Sequence, residues 1–401
     1  MNSTRDLIPY WYLLFTIGFG WFMLAPLVPE VSRAFSVGTS SVLLLVSLYG
    51  YTMVVLGLLS GFISARFSVV RSLYISAALS VIGLALRIVA YNYTFLFIAT
   101  LIAAVAYPMA VAPVGSVAES LTPGRAHTTV GISVGILFMG MAIGSLVSPY
   151  LIADGIREAF GVSAILALVA LVVLPMRARD YPQDYRGRSL RGSFRTGMLK
   201  NWYVGFLVSS ISVMFGSIAS SSLIARGVPE GTALSVGGLL SALTFLGSGT
   251  GAIIVPPVFE RLGRVRAGML LTSALSAVSA STISYLLGLR PLLALLIAFF
   301  FLYGFFGNSY WSMAMTSTTY YSDDPARAGL ATSMYSVATN VGVALIPVFF
   351  GPLVISGGAF QLAVLAVLFA AGVAVSPFLK LAGSGGGVPE KGPGEPVGDS
   401  R

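Results

Sequence analysis

Pro256-Pro257-Val258-Phe259-Glu260-Arg261-Leu262-Gly263-Arg264-Val265-Arg266 is a charged signature that closes a long apolar run. A weaker copy stands earlier, as Gly61-Phe62-Ile63-Ser64-Ala65-Arg66-Phe67-Ser68-Val69-Val70-Arg71, and setting Glu260 against Ala65 gives an offset of 195 residues. A second pair, Thr122-Pro123-Gly124-Arg125-Ala126 and Asp324-Pro325-Ala326-Arg327-Ala328, is offset by 202, Pro325 against Pro123. Two loop signatures with nearly equal offsets are hard to obtain by accident, so the chain reads as an internal duplication. The longest polar connection, Met176 to Lys200, carries Arg177, Arg179, Arg186, Arg188, Arg191 and Arg195 and separates the copies. The expected division is residues 1–175, a linker 176–200, residues 201–381 and a Gly-, Pro- and Ser-rich disordered tail 382–401.

What is duplicated follows from composition. The chain has 401 residues, 56% hydrophobic and 9% charged, against about a quarter charged in soluble domains. A bilayer core about 30 Å thick takes roughly 20 apolar residues per helix. Six such runs precede the linker: Pro9–Val28, Ser40–Phe62, Ser72–Ala90, Thr94–Ala118, Thr128–Tyr150 and Phe160–Pro175. Six follow it: Trp202–Ile224, Thr232–Val255, Ala267–Leu287, Pro291–Ser317, Ala328–Val348 and Phe360–Phe378. The fold expected is an all-α membrane protein with twelve transmembrane helices in two six-helix bundles.

Net charge is +9, but the cations sit in short loops between apolar runs, which points to membrane orientation and not to nucleic acid. With the N-terminus inside, Arg33, Arg87, Arg157, Arg226 and Arg290 are five of 23 cations on or near the far side, leaving 18 on the cytoplasmic side. Both termini are therefore expected in the cytoplasm, in a plasma membrane. No cysteine and one histidine remove disulfides, thiolate catalysis and the usual metal clusters. No cofactor, metal or enzymatic chemistry is expected.

At these residues the chain resembles the major facilitator superfamily, over its whole length up to the tail. The family's loop between the second and third helices reads roughly G-x-x-x-D-R-x-G-R-[RK]. Glu260, Arg261, Gly263 and Arg264 fit it, with Pro256 for the first glycine. In the first copy Gly61 and Arg66 match, Ala65 replaces the acid, Ser68 replaces the glycine and Arg71 falls one place late. The resemblance implies a solute transporter working by alternating access, in which these loops latch one side; Arg66, Arg71, Glu260, Arg261 and Arg264 would gate, the first copy more weakly. The family's antiporter motif in helix five is half present, as Gly135, Gly140 and Gly144 without its proline. Close helix packing explains the same glycines.

All 14 acids fall in loops, tails or helix ends, so proton coupling through a central carboxylate is disfavoured. Arg87, 16 residues beyond Arg71, lies about 24 Å along its helix at 1.5 Å per residue, and is expected to snorkel to the outer interface or pair with Glu30. Inorganic anions and sugar phosphates therefore rank low. Neutral polar and aromatic residues gather near mid-span: Trp21, Phe22, Tyr49 and Tyr107 in the first half, Ser217, Asn308, Trp311 and Asn340 in the second. The 202 offset sets Tyr107 opposite Ser309 and Phe138 opposite Asn340, at matching depths. The resemblance places helices one, four, seven and ten around the cavity. Trp21, Tyr49, Tyr107, Ser217, Asn308, Trp311 and Asn340 are the candidate substrate contacts, although serine and asparagine also tie helices together. As a set they suit a small neutral, amphipathic or weakly cationic organic molecule. Multidrug or metabolite efflux in the same fold, and a non-transporting sensor or scaffold, are the alternatives. The expected partners are the solute and the lipid bilayer, with a coupling ion left open and a monomer as the working unit.

Overall fold

A computed structural model of the chain describes residues 4–114, 117, 126–176, 181, 194–321 and 325–381. Glu119, the Arg125 loop, residues 322–324, the side chains of Arg66, His127, Arg327 and Ser333, the linker arginines from Arg177 to Arg191 and the tail lie outside the described residues. Among the described residues every regular element is helical. The order is α1 Ile8–Phe22, α2 Val28–Ala34, α3 Thr39–Phe67, α4 Val69–Ile88, α5 Tyr93–Val111, α6 Ala126–Leu151 and α7 Ile156–Val173. The second half adds α8 Leu199–Ala225, α9 Glu230–Arg261, α10 Val265–Gly288, α11 Leu293–Thr319, α12 Pro325–Phe349, α13 Gly351–Ser356 and α14 Ala359–Val375. Lipid offers no partner for backbone N–H and C=O groups, so segments this apolar must satisfy them internally, as helices.

Among the described residues ten helices are long and apolar enough to cross a membrane, and the two remaining spans depart from the sequence expectation for identifiable reasons. The first span is not one helix from Pro9 to Val28. Pro26 has no N–H to donate to the Phe22 carbonyl and its ring would meet that carbonyl; α1 stops at Phe22, Ala25 N–H takes its oxygen at 3.1 Å, and α2 restarts at Val28. In the eleventh, the apolar stretch of α12 is only Met334–Phe349. The eighth span is longer than expected: α9 runs on through Pro256 and Pro257 to Arg261, so most of the second loop signature is the end of a helix.

Small residues let the helices approach backbone to backbone. Within the first bundle, a Cβ at Gly83 of α4 would collide with the Ala103 backbone of α5, and one at Gly144 of α6 would lie 2.6 Å from the Phe19 carbonyl oxygen of α1. Gly144 is thus a packing glycine. Between the bundles run two seams, α3 against α12 and α6 against α9. Along one face of α3 a Cβ at Gly50 would lie 2.7 Å from the Ala344 nitrogen, one at Gly57 would lie 3.3 Å from Val337, and one at Gly61 meets nothing within 4 Å. Along α9 a Cβ at Gly238 would lie 2.5 Å from the Ser145 carbonyl oxygen, and one at Gly249, three turns on, 3.9 Å from that of Gly135. Both seams are tight at the end that carries Arg33 and splay toward the end that carries Arg264.

Overpacking a filled interface usually costs about 1–3 kcal/mol. Gly83→Val is expected to lower the thermal unfolding midpoint of the detergent-solubilised protein by several degrees, whereas Gly61→Val, into open space, leaves it within about a degree. Equal midpoints for the two variants would refute the close approach of α4 and α5.

Candidate transport site

The first bundle holds a buried aromatic corner where the two seams are still tight. Trp21 lies in the last turn of α1, where its Nε1 donates to the Val46 carbonyl of α3 at 2.7 Å. Its ring stacks on Tyr49, one turn further along α3, with centroids 4.7 Å apart and planes 6° apart. Tyr107 of α5 completes the corner, 5.1 Å from Trp21 and 6.4 Å from Tyr49. Pro108 frees the carbonyl four residues before it, and Thr52 Oγ1 donates to that oxygen, Ala104 O, at 2.8 Å. The proline after Tyr107 therefore creates the acceptor that ties α5 to α3. Across the seam the Tyr107 hydroxyl faces the Asn340 amide of α12, whose Nδ2 donates to Ser336 O at 2.9 Å.

Three layers cover this corner toward the Arg33 end. Phe22, beside Trp21, meets Phe245 of α9 edge to face at 4.3 Å, and Phe138 of α6 lies 6.0 Å from Phe245. The next layer is a hydroxyl pair, Ser145 of α6 and Ser241 of α9, 2.9 Å apart. Outermost, Arg33 bonds Glu30 at 2.7 Å and also pairs with Glu230, which belongs to the other bundle. At the opposite end Arg71, Glu260, Arg261 and Arg264 are exposed, and no ion pair joins them among the described residues.

Trp21, Tyr49, Tyr107 and Asn340 are thus brought together, while three other expected contacts stand apart from the corner. Ser217 Oγ donates to its own helix at Val213 O, 2.6 Å. Asn308 Nδ2 donates to Ser248 Oγ at 2.6 Å, joining α11 to α9. Trp311 Nε1 reaches Thr339 Oγ1 at 3.3 Å and its ring packs 5.4 Å from Tyr335, joining α11 to α12. Phe245, Ser145, Ser241 and Glu230 were not singled out from sequence. The small residues Gly237, Gly238 and Ser241 at helical spacing were the signal that α9 has a face pressed against another helix.

Arg87 does not snorkel. It is 1% exposed and its guanidinium donates to Gly20 O at 2.7 Å, Thr100 Oγ1 at 3.1 Å and the Tyr49 hydroxyl at 3.4 Å. Side chains lean toward the N-terminus of their helix; from the last turn of α4 that direction is away from the interface and into the bundle. Glu30 is bonded to Arg33 instead. Among the described residues no cluster of three or more His, Cys, Asp or Glu could hold a metal.

Two bundles of membrane-length helices, packed against each other along two seams that are tight at the Arg33 end, have the architecture of a polytopic membrane transporter. The major facilitator superfamily model matches residues 10–227, more than half of the chain. The chain belongs to that superfamily. Its fold is similar to that of a bacterial homologue of the human lysosomal transporter Spinster, solved inward-facing and occupied, with TM-score 0.66 and 15% identity over 94% of this chain and 95% of that one. It is also similar to the nucleoside transporter NupG, with TM-score 0.70 and 13% identity over 94% and 99% of the two chains. A POT family transporter in complex with 5-aminolevulinic acid gives TM-score 0.69 and 12% identity over 94% and 98%. No curated protein matches the chain significantly.

The ion pair between bundles gives a direct test. An exposed pair is worth about 0.2–1 kcal/mol, so Glu230→Arg, which sets like charges together, should raise the exposure of a single cysteine placed at Ser241 to a water-soluble thiol reagent by a factor of about two to five. Adding Arg33→Glu should restore the parent rate; a double variant as exposed as the single one would show that the pair does not hold this end shut.

Proposed function

We propose that the protein carries a small organic solute across the plasma membrane by alternating access, as a monomer. Residues 1–175 and 201–381 rock about the corner formed by Trp21, Tyr49, Tyr107 and Asn340, and the linker 176–200 and tail 382–401 lie in the cytoplasm with both termini. The observation that carries this reading is the asymmetry of the two seams: layered closure at the Arg33 end, widening at the Arg264 end. The cation excess at the Arg264 end supports placing it in the cytoplasm, so the conformation is inward-facing. Glu260, Arg261 and Arg264, exposed and without an ion pair among the described residues, fit a latch that has let go; Arg71 stands at the same end, and Arg66 is assigned to the same latch. Asn308, Trp311 and Ser217 line or brace the second bundle as the solute enters. The aromatic corner favours a neutral or amphipathic solute. A cationic one is less favoured than the sequence suggested, because Arg87 brings positive charge behind the wall.

The absence of native cysteine makes paired labelling clean. Spin labels on cysteines introduced at Val70 and Leu262, beside Arg71 and Arg264 but leaving both in place, should report a long, broad distance in the resting protein and a second, shorter population. A pair at Val37 and Arg226 should show the complementary pattern. One distance at both ends, unchanged across lipid compositions and a metabolite panel, would leave a rigid scaffold as the better reading. Neutralising Glu260 and Arg264 together should reduce the shorter Arg71-end population, by a factor of about two to five for pairs of surface strength.

A further inference from the structure

Arg87, a cation held inside the first bundle, has no counter-charge among the described residues. Each acceptor of the Arg87 guanidinium is neutral: Thr100 Oγ1, Gly20 O and the Tyr49 hydroxyl. Among the described residues no carboxylate lies within bridging distance of it. An arginine keeps its charge in proteins, and an unpaired charge at membrane depth is strongly disfavoured unless it serves something. The Gly20 contact supplies part of the compensation. Gly20 is in the last turn of α1, and with the helix broken before Leu24 no backbone N–H takes its carbonyl. That helix end carries roughly half a negative charge. The matching end of α4 lies beside exposed Val89 and Tyr91, where water screens it, and the guanidinium points away. A net positive field therefore remains, one ring behind the corner, transmitted through the Tyr49 hydroxyl and the stacked Tyr49 and Trp21 rings.

We propose that Arg87 sets the charge selectivity of the central site: its uncompensated charge draws an amphipathic solute with an anionic head, such as a carboxylate, phosphate or sulfonate, onto the Trp21–Tyr49–Tyr107 corner and repels cations. The inference rests on the transport reading above and names the charge of the solute. Arg87 is a positioning residue and does not touch the solute.

The test needs no known substrate. In the cysteine-free chain, Asn340→Cys places a thiol opposite Tyr107. The full-length protein in vesicles is treated with two reagents of similar size and opposite charge, 2-sulfonatoethyl and 2-(trimethylammonio)ethyl methanethiosulfonate. Their rate ratio is divided by the ratio for a free thiol in solution. The normalised preference for the anionic reagent is expected on the order of a hundredfold, because attraction of one reagent and repulsion of the other each contribute about tenfold for unit charges within about 10 Å at an effective dielectric near 20. It should persist in Arg87→Lys and fall to about one in Arg87→Gln. A preference near one in the parent, or one that Arg87→Gln leaves unchanged, overturns the proposal. Should Arg87→Gln not fold, the parent ratio against the free thiol still decides. Failure of both reagents to react from either face would remove the central site itself, and the selectivity with it.

Discussion

The structure depends on how closely two pairs of helices can approach: α3 with α12 and α6 with α9. In lipid there is no hydrophobic gain from pressing apolar helices together, so contact must come from packing and interhelical hydrogen bonds. Gly50 and Gly238 supply it by letting backbones meet, and Ser145 with Ser241 adds a hydroxyl pair in the same seam. The same geometry limits where contact extends. Beyond Gly57 and Gly249 the seam glycines of the described residues have more room, and Arg71, Glu260, Arg261 and Arg264 there are exposed. Contact concentrated at one end of the seams is the geometry that the proposed alternating access calls for.

The break in the first span connects that seam to the site. Pro26 ends α1 at Phe22, which places Trp21 and Phe22 side by side in its last turn, one turned to Tyr49 and the other to Phe245 across the seam. A continuous helix would carry Met23 to Leu27 onward with no free carbonyl at Gly20, and Arg87 would lose its shortest hydrogen bond. A proline, a terminal carbonyl and a buried guanidinium are therefore one local arrangement, and it fixes both the wall of the cleft and its lid.

Much of this was readable in the residues. The duplicated signatures around Ala65 and Glu260 gave the repeat, and run length gave the spans, because both depend on patterns many residues long. Trp21, Tyr49, Tyr107 and Asn340 could be chosen because mid-span polar and aromatic residues are scarce. Other features were hidden for physical reasons. Counting residues to Arg87 locates its Cα, whereas the charge sits several bonds away in the direction the helix dictates. Pro26 was visible, but whether a proline kinks or ends a membrane helix depends on neighbours that can take up the freed groups. Phe245 and Glu230 owe their places to the register between bundles, which no local pattern encodes. The reach of α9 beyond Pro257 is of the same kind.

Magnitudes decide which layer closes the Arg33 end. The Arg33–Glu230 pair has side chains 58% and 38% exposed, and at that exposure it contributes at most about 1 kcal/mol. An edge-to-face aromatic pair such as Phe22 with Phe245, both at most 2% exposed, contributes about 0.5–1.5 kcal/mol beyond its burial. The seam glycines add dispersion contacts along two helices, each small and together larger than either. Packing therefore closes this end, and the ion pair contributes direction: it matches charge across the bundles and disfavours register slips that would set Arg33 against Leu or Val. A closure made of several terms near 1 kcal/mol can open without help from any single strong bond, which suits a carrier that must release it in every cycle.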